Sequence, residues 1–356
     1  MLGVHDVSNL YAVPLLLEQQ ALSALLTARL SLPVAAPELS AWRQLSSDAE
    51  SLARIAVSRE VRVAFVGKYV GLQDAYKSLI KALTHAAIVC HVRLELVFVE
   101  SSLLACKPDD DADAANSAAA AADAWAKVRL AHAVLVPGGF GVRGVEGKVA
   151  AVRYARENRV PFFGICLGLQ VAVIEITRTV LGWHSNSEEF DDRSTHYNDA
   201  ELRLSRDVFD GSADDADAAA DVPPPSRNVI VFMPEVSKTH MGGTMRLGER
   251  RTIIHDPKCL SARLYGAAEV FERHRHRYEV DPTCVAEIES RTDLRFVGRD
   301  ETGQRMEIAE LPESVHPFFV AVQFHPEFLS RPLRPSPLFV GFVKAAAARM
   351  ETEQQK

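Results

Sequence analysis

The sequence predicts an α/β protein of three layers, in which helices cover both faces of a mostly parallel central sheet. Short apolar runs typical of buried strands alternate with helical stretches along residues 61–176, and this order favours a parallel sheet covered on both sides. Two of the strands run directly into glycine turns, at residues 137–141 and 164–168. Because ligands bind at the carboxyl ends of parallel strands, we expect both turns to open on the same edge of the sheet.

The composition indicates a globular protein with enough apolar residues for one large core. Of the 356 residues, 47% are hydrophobic and 24% are charged. The formal net charge of -7 argues against a nucleic-acid binder, which needs a basic face. Five cysteines without a C-x-x-C pair favour a reducing compartment, so we expect a cytoplasmic protein. No apolar run reaches the roughly 18 residues of a membrane span, and the order typical of a signal peptide is missing.

The amino-terminal residues 1–57 differ from the rest of the chain. Their apolar residues have helical spacing interrupted by two prolines, which predicts a helical appendage or linker. The α/β pattern defines a domain at residues 58–350. Its first strand ends at Gly67 and Lys68, a pair that also occurs in phosphate-binding loops. The upstream glycine and the following Ser or Thr of that motif are missing, so we do not predict such a loop.

Two low-complexity stretches interrupt this domain. Residues 107–124 and 211–226 are rich in Ala and Asp. Such segments supply too few large apolar side chains for a packed core, so we predict that both are disordered surface insertions. The later strands are shorter, and the last one runs through residues 318–324.

A cysteine occupies the corner between a predicted strand and a predicted helix. Cys166 follows the apolar run 160–165 and is flanked by Gly164 and Gly168, so the strained dihedral angles of a nucleophile elbow meet no neighbouring side chains. The positive end of the helix dipole favours a thiolate there, and the backbone N–H of Leu167 would be available to an oxyanion. The alternative is a core cysteine between two helix-packing glycines.

The other glycine turn, Pro-Gly-Gly-Phe-Gly at residues 137–141, follows a buried strand. Glycines let backbone N–H groups face a ligand directly, which is a common way to build an anion site. The same residues also suit a plain connection between a strand and a helix.

The last predicted strand ends in His325, Pro326 and Glu327. In an extended segment residues two apart point the same way, so the imidazole and the carboxylate would share a face. We predict that His325 takes the thiol proton of Cys166 and that Glu327 fixes the ring tautomer. The alternative is a surface His and Glu at a strand end.

Residues 273–277, Arg-His-Arg-His-Arg, alternate two chemistries. An extended strand would carry three guanidinium groups on one side and two imidazoles on the other. An arginine there suits a carboxylate, which it grips through two parallel hydrogen bonds. The two histidines lack convincing further ligands, so we expect no metal.

Several of these motifs resemble a known family. Cys166 within Gly-Ile-Cys-Leu-Gly-Leu-Gln, the turn at 137–141 and the ending Gln-Phe-His-Pro-Glu-Phe at 323–328 resemble the class I (triad) glutamine amidotransferases, whose fold is flavodoxin-like. Within that class, four further blocks look like the CTP synthase family over residues 60–346. These blocks are residues 67–69, 74–78, 241–248 and 273–280.

The resemblance implies a catalytic triad of Cys166, His325 and Glu327. The thiolate would attack the side-chain amide of L-glutamine, form a glutamyl thioester and release ammonia. The oxyanion hole implied by the resemblance consists of backbone N–H groups at Gly138 or Gly139 and at Leu167.

The resemblance also implies contacts to the amino-acid end of glutamine from Gln170, Glu189 and Arg277. The charges are suitable, since Glu189 matches an ammonium group and Arg277 a carboxylate. The neighbouring Glu188 stands where the family more often has threonine. Residues 233–251 resemble a lid loop, near which GTP acts as an activator in this family.

The family also implies partners that lie outside this chain. In CTP synthases an amino-terminal amidoligase domain binds ATP, UTP and Mg²⁺ and uses the ammonia to convert UTP to CTP, and the proteins form tetramers and filaments. Residues 1–57 resemble only the last piece of that domain and its linker. The chain alone is therefore expected to hydrolyse glutamine, slowly and without a cofactor of its own.

Two other functions stay open at this point. The first is that of a non-catalytic assembly or regulatory module. The second is that of an amidotransferase domain that serves another synthase. The intact Cys166, His325 and Glu327 count against the first function. The blocks at 241–248 and 273–280 count against the second.

Overall fold

The computed structural model describes residues 2–33, 36–52, 54–56, 59–105, 114–190, 227–233 and 245–355. Its strands are β1 (Val61–Gly67), β2 (Leu94–Glu100), β3 (Ala133–Val136), β4 (Phe162–Ile165), β5 (Ser185–Ser187), β6 (Arg227–Phe232), β7 (Arg246–Ile254), β8 (Glu269–His276), β9 (Tyr278–Val280), β10 (Arg295–Arg299), β11 (Met306–Glu310) and β12 (Phe319–Val322). Its helices are α1 (Val13–Gln19), α2 (Leu22–Leu30), α3 (Ser40–Leu52), α4 (Lys77–Val89), α5 (Ala114–Arg129), α6 (Val145–Glu157), α7 (Leu167–Thr179), α8 (Leu260–Tyr265), α9 (Val285–Arg291) and α10 (Pro337–Gln354).

The central sheet has nine strands in the described part of the chain, in the order β2-β1-β3-β4-β12-β11-β10-β7-β8. The strands from β2 to β12 are parallel, and the others extend the sheet in antiparallel pairs. Strands β4 and β12 are neighbours, with Ile165 opposite Val322 at their carboxyl ends. The chain segments that carry Cys166 and His325 therefore leave the sheet side by side.

Alternate side chains of the parallel strands fill two separate cores, one on each face of the sheet. Phe162 belongs to the core formed with α5, α6 and α7, whereas its neighbour Phe163 belongs to the core formed with α4 and α10. The Phe163 ring, for example, meets the Phe339 ring of α10 edge to face, with centroids 5.1 Å apart. Helices on both faces of one sheet confirm the predicted three-layer α/β fold.

A second, smaller sheet adds to one of the two cores, since Val229, Ile230 and Val280 belong to the same core as Phe162. Strands β5, β6 and β9 form a second, three-stranded sheet. The amino-terminal segment contacts the main domain through Tyr11, whose ring lies 6.2 Å from that of His85 on α4. Asn9 ties the start of this segment to α3 by donating a hydrogen bond of 2.8 Å to the carbonyl oxygen of Ser46.

One predicted insertion is folded in part. The prediction of disorder for residues 107–124 is wrong from residue 114 onward, because helix α5 begins there. Alanine has the highest helix propensity, and the helix is anchored by the buried Trp125 and Val128. Residues 106–113, and the whole of the predicted insertion 211–226, lie outside the described residues.

Two further findings concern the described residues only. None of their helices is both long and apolar enough to cross a bilayer. Four cysteines, Cys90, Cys166, Cys259 and Cys284, are present as free thiols.

Candidate active site

Cys166 lies at a sharp turn between β4 and α7. Its backbone has φ 54° and ψ -101°, a region that residues with a side chain rarely occupy. The flanking glycines make the turn sterically possible. A β-carbon at Gly164 would lie 2.7 Å from the carbonyl oxygen of Gly168, and one at Gly168 would collide with the carbonyl oxygen of Val136. The structure therefore confirms the predicted strand, elbow and helix around the thiol.

The same turn places Cys166 at the start of a helix. The backbone N–H of Cys166 donates to the carbonyl oxygen of Val322 at 2.7 Å, which fixes the elbow to β12. Leu167 is the first residue of α7, so its N–H has no acceptor within the helix. A negative charge on the sulfur or on a bound carbonyl oxygen is stabilised at this position by the helix dipole.

The segment after β12 does not stay extended, which corrects the geometry predicted for Glu327. His325 has φ -115° and ψ 84°, and Pro326–Phe328 form one 3-10 turn that begins with the fixed φ of proline. The two side chains nevertheless meet, because Nδ1 of His325 lies 2.7 Å from Oε1 of Glu327. Since a carboxylate can only accept, Nδ1–H is the donor, and Nε2 is the ring atom that can exchange a proton.

The pKa of His325 is governed by its two neighbours. Burial of the ring favours the neutral form, but the negative charge of the Cys166 sulfur and the hydrogen bond to Glu327 outweigh burial and raise the pKa of His325 to about 10. The ring is therefore protonated at neutral pH. Nε2 is buried, and no hydrogen bond to it is found within the described part of the chain, so it remains available to exchange a proton.

Two further contacts restrict the position of His325. Its backbone N–H donates to the carbonyl oxygen of Arg273 on β8 at 2.8 Å. Its ring stacks on Phe328, with centroids 5.0 Å apart and planes inclined by 15°. These contacts restrict the ring to one orientation, which is what proton transfer at a fixed atom requires.

The glycine turn after β3 lies against both Cys166 and His325. A β-carbon at Gly138 would lie 2.8 Å from Cε1 of His325 and 3.3 Å from Cβ of Cys166. The turn therefore touches both side chains, and only a residue without a side chain fits there. At Gly139 a β-carbon would meet the Leu167 side chain at 3.6 Å, so the turn also contacts the start of α7.

Gln170 is buried beneath the elbow. Its Nε2 donates to the carbonyl oxygen of Tyr278 at 3.0 Å and approaches Oε1 of Gln323 at 3.4 Å. The amide of Gln323 in turn lies 3.8 Å from the sulfur of Cys166. The two glutamines thus connect the sulfur to the segment that carries Arg277.

Glu189 and Arg277 contact the last two residues of the glycine turn. Oε1 of Glu189 accepts a hydrogen bond of 2.7 Å from the backbone N–H of Gly141. Burial raises the pKa of Glu189, although this hydrogen bond and the charges of Lys68, Lys148 and Arg277 oppose the shift. The guanidinium of Arg277 lies over the ring of Phe140, 5.6 Å from its centroid.

The neighbouring Glu188 points elsewhere. Its Oε2 accepts a hydrogen bond of 3.1 Å from the backbone N–H of Phe232 in the second sheet. The two adjacent glutamates thus have different partners, the glycine turn for Glu189 and the second sheet for Glu188.

Within β8 the side chains of the segment 273–277 alternate between exposed and buried, as the sequence pattern predicts. Arg273 and Arg275 are exposed, whereas His274 and His276 are buried. The two rings are 3.1 Å apart between Nδ1 of His274 and Nε2 of His276, and burial lowers the pKa of His276 to about 3. Among the described residues no group of three His, Cys, Asp or Glu side chains is arranged to hold a metal ion.

Sequence reasoning missed two lysines at this site. Lys68, at the end of β1, donates a hydrogen bond from Nζ to the carbonyl oxygen of Phe140. Lys148 is buried on α6, with Nζ 3.8 Å from the place that a β-carbon of Gly139 would occupy. The available signal for Lys148 was its position on the apolar stripe of α6, three residues after Val145 and four before Val152.

Comparison with known proteins identifies the class to which this fold and site belong. The family model described as Glutamine amidotransferase class-I matches residues 71–345. The chain belongs to the class I glutamine amidotransferases.

Within this class the chain is similar to CTP synthases. It is 44% identical to CTP synthase of Dictyostelium discoideum, over 99% of this chain and 58% of that protein. It is 41% identical to CTP synthase 1 of Homo sapiens, over 99% of this chain and 53% of that protein. The chain thus spans little more than half the length of these relatives.

A solved structure is similar as well. The Trypanosoma brucei CTPS glutaminase domain with bound acivicin superimposes with a TM-score of 0.63 and 36% sequence identity, covering 81% of this chain and 94% of that one. The resemblance indicated by the sequence motifs is therefore confirmed, at the level of the family and the fold.

Proposed function

We propose that this chain hydrolyses L-glutamine to glutamate and ammonia through a thioester on Cys166. The observation that carries the proposal is the cluster of a strained thiol, an imidazole bonded to a carboxylate, and a glycine turn that touches both. The raised pKa of His325, about 10, favours an imidazolium next to Cys166, and a positive charge there assists a cysteine nucleophile.

The proposed reaction follows from these positions. The Cys166 thiolate attacks the side-chain carbonyl carbon of glutamine, and the developing oxyanion is held by N–H groups at Gly138 or Gly139 and at Leu167. His325 gives its Nε2 proton to the departing ammonia. It then takes a proton from water, which attacks the thioester and releases glutamate, while Glu327 keeps the ring oriented throughout.

The amino-acid end of glutamine is assigned to Gln170, Glu189 and Arg277. Glu189 supplies a negative charge for the ammonium group, and Arg277 supplies a positive charge for the carboxylate. Because the Gln170 amide already donates to a backbone carbonyl, its role in this proposal is to shape the wall of the pocket beside Arg277.

We further propose that the ammonia is used by a partner amidoligase domain. The CTP synthase relatives are nearly twice as long as this chain. The proposed partner domain binds ATP, UTP and Mg²⁺ and makes CTP, with GTP as activator, in a cytoplasmic homo-oligomer. Residues 1–57 would be the part of the chain that joins the two domains.

The test is glutaminase activity of the wild type beside Cys166→Ala, with and without GTP. We expect slow turnover by the wild type and none by the variant. Mass spectrometry after treatment with a chloroketone analogue of glutamine, or with acivicin, should find one adduct, on Cys166. Absence of both turnover and adduct would instead favour a non-catalytic assembly module.

A further inference from the structure

Lys148 is the charged residue of the site region whose burial is hardest to explain. It is 1% exposed, and its side chain reaches from α6 to the glycine turn, with Nζ beside Gly139. Among the described residues its ammonium forms no hydrogen bond and no ion pair. Such a group is costly to bury, so a stabilising role is a poor explanation for its presence.

Charges on four elements surround this ammonium. Lys68 at the end of β1 repels it, whereas Glu100 at the end of β2, Glu189 after β5 and Cys166 before α7 attract it. Burial and the repulsion from Lys68 prevail and lower the pKa of Lys148 to about 8. The ammonium therefore carries a positive charge at neutral pH.

We propose that Lys148 is a positioning residue for amide cleavage, which acts through the Gly138–Gly139 turn by adding positive potential where the oxyanion forms. This inference rests on the proposed glutaminase function. The bound amide is neutral and the tetrahedral intermediate is negative, so a fixed cation in a site of low dielectric stabilises the intermediate more than the substrate. The effect should therefore fall on kcat rather than on KM.

The key variant is Lys148→Met, which keeps the length of the side chain and removes its charge. We expect kcat to fall by about tenfold or more, with KM changed by less than about threefold. The melting temperature at neutral pH should rise or stay the same, because a buried charge has been removed. The matched control is Lys344→Met, at an exposed lysine on α10, which should change neither kcat nor the melting temperature.

The pH profile separates an electrostatic role from a merely structural one. In the wild type kcat should fall as pH rises through about 8, where the ammonium loses its proton. Lys148→Met should lack this alkaline step and stay low throughout. Lys148→Arg, which keeps its charge to much higher pH, should restore kcat and move the step upward.

Two results would overturn the inference. One is a Lys148→Met variant with wild-type kcat and the same alkaline step. The other is a variant that loses kcat together with its melting temperature, which would indicate a packing role. The proposed function is judged separately, by whether wild-type turnover disappears in Cys166→Ala. If the wild type shows no turnover that depends on Cys166, both ideas fail together.

Discussion

Oε1 of Glu327 lies 2.7 Å from Nδ1 of His325 across a single 3-10 turn. The two residues are separated only by Pro326, so their contact needs no other part of the fold. Their orientation toward Cys166, in contrast, depends on the pairing of β12 with β4. The carboxylate and the ring therefore form a local unit, and the pairing of β12 with β4 places this unit next to the thiol.

Replacing Glu327 by glutamine should impair this unit without changing its shape. The carboxylate helps to raise the pKa of His325, so that pKa should fall in Glu327→Gln, and the ring should lose its fixed tautomer. We expect kcat to drop by about 10² to 10⁴. The measurements are steady-state kinetics and an NMR titration of the histidine ring. Glu313→Gln, at an exposed carboxylate, is the control, and an unshifted titration of His325 would contradict the prediction.

A side chain at Gly138 should block the site. The β-carbon of Gly138→Ala would lie 2.8 Å from Cε1 of His325, so either the ring or the turn must move. We expect at least about a hundredfold loss of kcat, since small displacements of catalytic groups cost that much, with far-ultraviolet circular dichroism unchanged. Gly71→Ala is the matched control, because a β-carbon there has no atom within 4 Å. Full activity of Gly138→Ala would argue against the proposed cluster.

The two adjacent glutamates provide an internal comparison. Glu189 contacts the glycine turn, whereas Glu188 contacts Phe232. We expect Glu189→Gln to raise the KM for glutamine by about tenfold or more, because a charge-assisted hydrogen bond is lost, and Glu188→Gln to leave it nearly unchanged. Equal effects on KM would refute the assignment of Glu189.

Glutamine binding should also depend on pH through Glu189. Burial raises the pKa of this carboxyl group, and only its ionised form attracts the substrate ammonium. The KM of the wild type should therefore increase as pH falls toward this raised pKa, and the increase should be missing in Glu189→Gln. The measurement is the pH dependence of kcat/KM for both proteins.

The alignment of α6 with α7 should depend on one buried ion pair. The guanidinium of Arg156 donates to both carboxylate oxygens of Glu175, at 2.9 Å and 2.7 Å, and Glu175 is fully buried. Arg156→Leu removes the positively charged partner of this carboxylate and leaves it only the hydroxyl of Thr179, and we expect the free energy of unfolding to fall by about 3 kcal/mol.

Urea denaturation of Arg156→Leu is the measurement. Arg291→Leu is its control, because Arg291 and Glu287 form an exposed pair that is worth less than about 1 kcal/mol. If both variants lose the same small amount, the buried pair does not hold the two helices together.

The sequence by itself determined the local features of this protein. The alternation of apolar runs indicated the three-layer fold, and the glycines around Cys166 indicated the elbow that the structure contains. The family resemblance followed from short motifs. These features are encoded by neighbouring residues, since a turn needs particular dihedral angles and a buried strand needs a continuous apolar run.

Only the tertiary structure decided how these features meet. The pairing of β4 with β12 joins segments far apart in the chain, and local patterns carry no register for such a pair. The same limit applies to Lys148. Its place on the apolar stripe of α6 indicated burial, but it did not indicate that Nζ lies beside Gly139. The helix that begins at residue 114 is a related case, because short helices are marginal in water and this one is stabilised by the buried Trp125 and Val128. Local chemistry could be read along the chain, whereas contact between distant residues depended on packing.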